Sequence, residues 1–240
     1  MRKVFLLTFL VLVSLSMQAR AGWFEDVMKQ AGMSLNGGAG PDDNTIAAGL
    51  RQALSIGAKN AVTGVSRKDG YFANLEIKIL MPEKIQKVAD VLGYIGFQKQ
   101  VDDFVLSMNR AAEKAAPEAL PIFADAIKEM TFADAKNILY GDDTAATEYF
   151  QRKTRDRLYN EFKPIISASM DQVGCTRSYK IMIGKYESMP LMGKKSLDLD
   201  DYVTNKALDG LFYELGQEEK KIRTDPAARV TDLLRMVFGK

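Results

Sequence analysis

From Asn44 onward the apolar positions recur every three or four residues, the period of a helix with one buried face. Residues 44–66 place Ile46, Leu50, Leu54, Ala58, Ala61, Val62 and Val65 on such a face. Pro82 and then Glu83 open a second helix, because proline is tolerated in a first turn. It is predicted over 82–95 with Ile85, Val88, Ala89, Leu92 and Ile95 inward. Residues 97–115 carry the cleanest stripe: Phe97, Val101, Phe104, Val105, Met108, Ala112 and Ala115 lie opposite Lys99, Asp102, Asp103, Arg110 and Glu113. Pro117 and Pro121 mark the next break, and a helix is predicted over 118–129. Thr131 and Asp134 have the spacing of a capping box for a short helix that Gly141 stops. Asp142 or Asp143 then caps a long helix reaching Gly174, with Pro164 inside it predicted to kink it. Asp198 caps a helix along Leu199, Val203, Ala207, Leu211, Leu215 and Ile222. Asp225-Pro226 opens a last one along Val230, Leu233, Leu234, Val237 and Phe238.

Strand signal is confined to one short stretch, where Leu75, Ile77, Ile79 and Met81 alternate with Glu76 and Lys78. It could pair only with something like residues 189–193, inside an extended loop predicted over 186–197. The fold class expected is therefore all-α: a single irregular helical bundle of about eight helices over residues 44–240, to which a minor two-stranded β patch could be added.

Ahead of this domain, Met1 to Ala21 has the three parts of a secretory signal. Arg2 and Lys3 form a positive start, Val4 to Leu15 is an apolar run, and Ala19-Arg20-Ala21 is a small-residue cleavage site. Cleavage is expected after Ala21, which places the mature chain in the periplasm. The apolar run is about 12 residues, short of the roughly 20 that cross a bilayer as a helix. No later run has 18 consecutive apolar residues, so no transmembrane segment is expected after the leader is removed. Residues 23–33 could form a short amphipathic helix with Trp23, Phe24, Val27, Met28 and Ala31 on one face. The Gly, Pro, Asn and Asp cluster of residues 36–43 follows as a flexible linker. That aromatic face could dock on the domain, on a membrane surface or on a partner.

Composition narrows the chemistry. Among 240 residues there are 33 lysines and arginines, 31 acids, no histidine and one cysteine. The leader removes Arg2, Lys3 and Arg20, leaving 30 bases against 31 acids, a formal charge of −1. That balance gives no reason to expect nucleic-acid binding. Without histidine, Ser-His-Asp and Cys-His catalysis within one chain and His-ligated metals are excluded. Cys175 alone cannot form an internal disulfide. Phosphate-binding glycine loops and nucleophile motifs are also absent.

No catalytic residue, metal ligand or cofactor is expected from what remains. The acidic pairs Asp42-Asp43, Asp102-Asp103, Asp142-Asp143 and Asp200-Asp201 mostly precede or begin helices, where acids cap free amides. Two places qualify as binding candidates. The run Arg152-Lys153-Thr154-Arg155-Asp156-Arg157 is the strongest local charge feature. Pairs Glu148–Arg152, Arg152–Asp156 and Arg157–Glu161 fall at i, i+4, which favours a solvated, ion-paired face. The other reading of Arg152, Lys153 and Arg155 is an anion site for an acidic glycan, a lipid head group or an acidic partner. Asn109 and Arg110 sit mid-helix beside the buried stripe. Asn109 could form a core hydrogen bond to a neighbouring helix, or line a groove with Arg110.

Four stretches together resemble a known family: residues 106–139 (LSMNRAAEKAAPEALPIFADAIKEMTFADAKNIL), 141–154 (GDDTAATEYFQRKT), 196–223 (SLDLDDYVTNKALDGLFYELGQEEKKIR) and 225–239 (DPAARVTDLLRMVFG). The family is the bacterial envelope family catalogued as domain of unknown function 4197. The resemblance implies an exported, mostly helical protein of Gram-negative-type bacteria and carries over no catalytic residue, cofactor or partner. Three functions fit. The chain could be a non-catalytic binding or scaffold protein whose partner is an envelope protein or an anionic ligand. It could be a His-free, carboxylate-dependent hydrolase of an envelope polymer. It could also carry an apolar ligand in a cavity lined by its 12 Met and 12 Phe.

Overall fold

In the computed structural model, residues 43–172 and 198–229 are described, with 231 and 235. The chain divides into two compact units, Met1–Asp42 and Asp43–Lys240, and the description concerns the second. The leader, the 23–33 segment, the 186–197 loop and most of the last predicted helix lie outside the described residues.

Seven α-helices follow one another among the described residues: α1 Asp43–Ser66, α2 Glu83–Leu92, α3 Gln98–Ala115, α4 Ala119–Lys128, α5 Phe132–Leu139, α6 Ala145–Gln172 and α7 Leu199–Thr224. The period of 3.6 read from the apolar positions is therefore the architecture, and the protein is mostly helical. Helix α7 packs along α6 and α1, α3 lies on α6, and α4 closes against α1 and α6. Alanines 111, 112, 115, 116 and 119 are fully buried at the α3–α4 corner, where small side chains let backbones approach closely. The centre is aromatic. Phe123 meets Phe150 edge to face at 4.9 Å and Phe212 at 6.2 Å, the geometry that ring quadrupoles favour. The Tyr149 hydroxyl, buried beside them, donates to the Ala126 carbonyl at 2.8 Å.

Several local expectations are altered. A non-helical kink within Gly93–Phe97 joins α2 to α3, and Gly96 has φ 91, in the left-handed region that glycine enters without strain. This kink ends the predicted 82–95 helix early and points Ile95 and Tyr94 outward, with Tyr94 92% exposed. Helix α6 runs through Pro164 as one element. No strand occurs among the described residues. Residues 75–77 form a turn and 78–82 irregular chain. The alternation is physical from Ile77 onward, because Ile77, Ile79 and Met81 are buried while Leu80 is 60% exposed; Leu75, at its start, is exposed. The expected partner at 189–193 lies outside the described residues.

A candidate binding groove

The loop between α1 and α2 is built from its hydrogen bonds. The Glu113 carboxylate, buried on α3, accepts from the main-chain N–H groups of Tyr71 (3.2 Å) and Phe72 (3.3 Å). Its other oxygen accepts from Arg110 at 2.6 Å, and Arg110 also donates to Asp69 at 2.6 Å. The Tyr71 ring passes through the core, and its hydroxyl donates to the Ala207 carbonyl on α7 at 2.7 Å. Burial first, and Glu214 and Glu113 next, push this phenol far above its usual range, so it stays a donor. Gly210 makes room for it: a β-carbon there would stand 2.7 Å from the Tyr71 ring and 3.0 Å from Ile77.

Asn109 holds the next segment. Its amide oxygen accepts from the Ile79 N–H at 2.8 Å, and its amide nitrogen donates to the Ile79 carbonyl at 2.8 Å. The same nitrogen donates to the Val105 carbonyl at 2.8 Å. A carboxamide offers one acceptor and two donors in one plane, which lets a single side chain satisfy both main-chain groups of a buried residue. Asn109 thus does from a helix what a neighbouring strand does in a sheet.

Residues 76–83, pinned in this way, form one wall of an open groove whose other wall is the first half of α7. Its volume is about 920 Å³. Glu76, Lys78, Leu80 and Glu83 line the loop side. Asp198, Asp201, Tyr202, Lys206, Asp209 and Tyr213 line the helix side. Tyr202 reaches across, donating to the Leu80 carbonyl at 3.1 Å. Burial, and then Glu83, push the Tyr202 phenol up, which keeps that donor in place. At one end, Tyr159 donates to Asp201 at 2.7 Å and Lys163 donates to Tyr159 at 2.9 Å. Asp198 caps α7 by accepting from the Asp201 N–H at 2.9 Å. That bond, and then the attraction of Lys163, hold its carboxyl below the usual carboxylate range.

The candidate residues sit in three places. Asn109 stands behind the groove wall and holds it at Ile79, and Arg110 holds the turn before it through Asp69 and Glu113. Arg155 reaches the rim, where it pairs with Asp209 at 2.8 Å. Arg152 and Lys153 are on another side of the molecule. Arg152 packs over the Tyr149 ring with 6.0 Å between guanidinium and ring centre, beside a shallow hollow that also contains Asp134, Glu148 and Asp142. Arg157, from the same run, pairs with Asp125 on α4 at 3.1 Å. The basic run is thus distributed over separate partners. None of its three expected i, i+4 pairs closes among the described residues: Arg157 finds Asp125 on α4, Arg152 lies over the Tyr149 ring and Glu148 accepts from Thr144.

Residues the pattern gave no reason to single out prove central. Glu113 was expected on the solvated side of its helix and is buried. The signal was its position four residues after Asn109, on the same side of α3. Glu219 on α7 has no local signal. It accepts from the Ala146 and Thr147 N–H groups at 2.9 Å each and from the Thr147 hydroxyl at 2.8 Å, and pairs with Arg223 at 2.8 Å. The free amides that open α6 are therefore capped from another helix, in place of the expected Asp142 or Asp143. Among the described residues no group of three or more Cys, Asp or Glu side chains is placed to hold a metal ion, and no helix is long and apolar enough to cross a membrane.

Fold and groove together define a helical protein that presents one extended, side-chain-pinned segment beside an open channel. The family model described as "Protein of unknown function (DUF4197)" matches residues 40–239, and the chain belongs to that family. Neither a curated protein nor a solved structure matches it.

Proposed function

We propose that this chain is an exported, non-catalytic binding or scaffold protein of the bacterial cell envelope, and that the groove between residues 76–83 and α7 is where it binds. One observation carries the reading: the groove wall is held from behind by Asn109, which bonds both main-chain groups of Ile79, while Arg110 and Glu113 fix the turn that leads into it, so its shape is set before any partner arrives. Preorganisation of this kind lowers the ordering cost of binding. The signal-like pattern of residues 1–21 supports export.

The chemistry of the acids favours binding over hydrolysis. Glu113 and Glu219, the buried carboxylates, are committed to main-chain amides and arginines. The carboxyls with a resolved shift, Asp134 and Asp198, are held ionised, whereas a general acid needs its proton retained. An apolar carrier finds little support either. The apolar cavity between α1, α6 and α7, beside Leu54, Phe150 and Leu215, measures about 20 Å³, room for roughly one water.

The test is site-specific photocrosslinking in the intact envelope. A crosslinking residue at Leu80 or Tyr213, both exposed at the groove, is compared with one at Lys128, exposed on α4. Discrete adducts at the two groove positions and none at Lys128 are expected. The same adduct pattern at all three positions contradicts the reading.

A further inference from the structure

The groove wall has one open hydrogen-bonding edge. Ile79 directs both its main-chain groups to Asn109. In an extended chain successive residues turn these groups to opposite edges, so residues 78 and 80 face away from Asn109. The Leu80 carbonyl does so, meeting Tyr202 from α7. The Lys78 N–H turns back to the Asn74 carbonyl at 2.8 Å. Two groups are left over: among the described residues nothing bonds to the Lys78 carbonyl or to the Leu80 N–H.

That remainder has a direction. In a parallel ladder one incoming residue donates its N–H to residue i−1 and accepts from the N–H of residue i+1. Lys78 and Leu80 offer that pair around Ile79. An antiparallel partner needs both groups of one residue, and at 78 and at 80 one of the two is already taken.

The charges on the walls select a partner. Glu76 and Glu83 flank the open edge, both exposed and neither in an ion pair among the described residues. Asp198 and Asp209 are offset by Lys163 and Arg155, Lys78 is drawn over the Phe72 ring at 4.1 Å, and with Asp201 and exposed Lys206 counted the lining keeps an excess of one acid. Exposed Leu80 and Tyr213 supply apolar surface between the acids. We propose that the groove takes an extended peptide segment of a partner protein, with lysine or arginine alternating with apolar residues, added parallel to residues 78–80. This rests on the binding role proposed above and names the chemistry of its partner.

The probe is a labelled peptide of three Lys-Val repeats, acetylated and amidated, titrated with the full mature chain and followed by fluorescence anisotropy. A Glu-Val repeat of equal length and a Lys-Val peptide methylated at every amide nitrogen are the comparisons. The Lys-Val peptide should bind, and each comparison should bind at least about tenfold more weakly, the scale of one lost charge-assisted or main-chain hydrogen bond. The double variant Glu76→Lys, Glu83→Lys, at exposed positions and checked by circular dichroism for an unchanged helical signal, should weaken Lys-Val binding by at least about tenfold. Absence of Lys-Val binding, equal binding of the Glu-Val peptide, or no effect of N-methylation overturns the proposal. So does a Leu80 photoadduct to residues 186–197 of the same chain. Groove photoadducts to a partner with no preference among the peptides would leave the binding role standing and remove only this inference.

Discussion

Asn109 shows what a single polar residue in a helical core is for. Its three hydrogen bonds have no water to replace them, and replacing it with alanine strands the main-chain N–H and C=O of Ile79 in an apolar setting. Unsatisfied buried groups cost about 1–3 kcal/mol each. Asn109→Ala should therefore lower the unfolding free energy by about 2–4 kcal/mol, read as a shift of the urea midpoint. A change within about 0.5 kcal/mol would show that the 76–83 wall does not depend on this side chain. Asn109 was visible in the sequence as a poor helix former beside an apolar stripe. Its core hydrogen bonds go to a non-helical segment thirty positions earlier, where a neighbouring helix was expected, and no local pattern reports that distance.

At the scale of elements, capping was the most legible feature where the cap is local. Thr131 and Asp134 form the expected reciprocal box, with the Asp134 N–H bonding the Thr131 hydroxyl at 3.1 Å and the Thr131 N–H bonding the Asp134 carboxylate at 3.1 Å. Asp198 caps α7 as its position predicted. The start of α6 was misread because Glu219 reaches it from α7, a tertiary contact that no spacing rule encodes. Of the 75–81 alternation, Ile77, Ile79 and Met81 are buried and Leu75 is exposed; no strand forms there among the described residues, and a side chain, Asn109, bonds both main-chain groups of Ile79. The Asp198 cap also has a pH consequence. Its folded-state carboxyl is held below the unfolded value of about 3.9, so the stability it adds is present above that value and is lost as pH falls through the folded one. Asparagine caps about as well but does not titrate. In urea unfolding, the gap between wild type and Asp198→Asn should be largest at neutral pH and should close below about pH 4. A gap that persists or widens in acid contradicts this assignment.

For the whole molecule, the helical class followed from apolar periodicity, because the seven helices among the described residues each bury a stripe against a largely continuous aromatic and alanine core. The groove did not follow. It arises where a non-helical segment is stitched to α3 and α7 by Glu113, Tyr71, Asn109 and Tyr202, residues drawn from across some 130 positions of the chain. The basic run that attracted attention as a unit is dispersed over α4, α7 and a tyrosine face, because consecutive residues of a helix point in different directions. The proposed function rests on one physical claim, that a helical body holds an irregular segment with one edge bonded and the other open. Residue-resolved amide hydrogen exchange measures that directly. The account predicts slow exchange at Tyr71, Phe72 and Ile79, whose N–H groups are bonded to Glu113 and Asn109, and exchange near the rate of an unstructured peptide at Leu80. Equal protection at Ile79 and Leu80, or fast exchange at both, would contradict it.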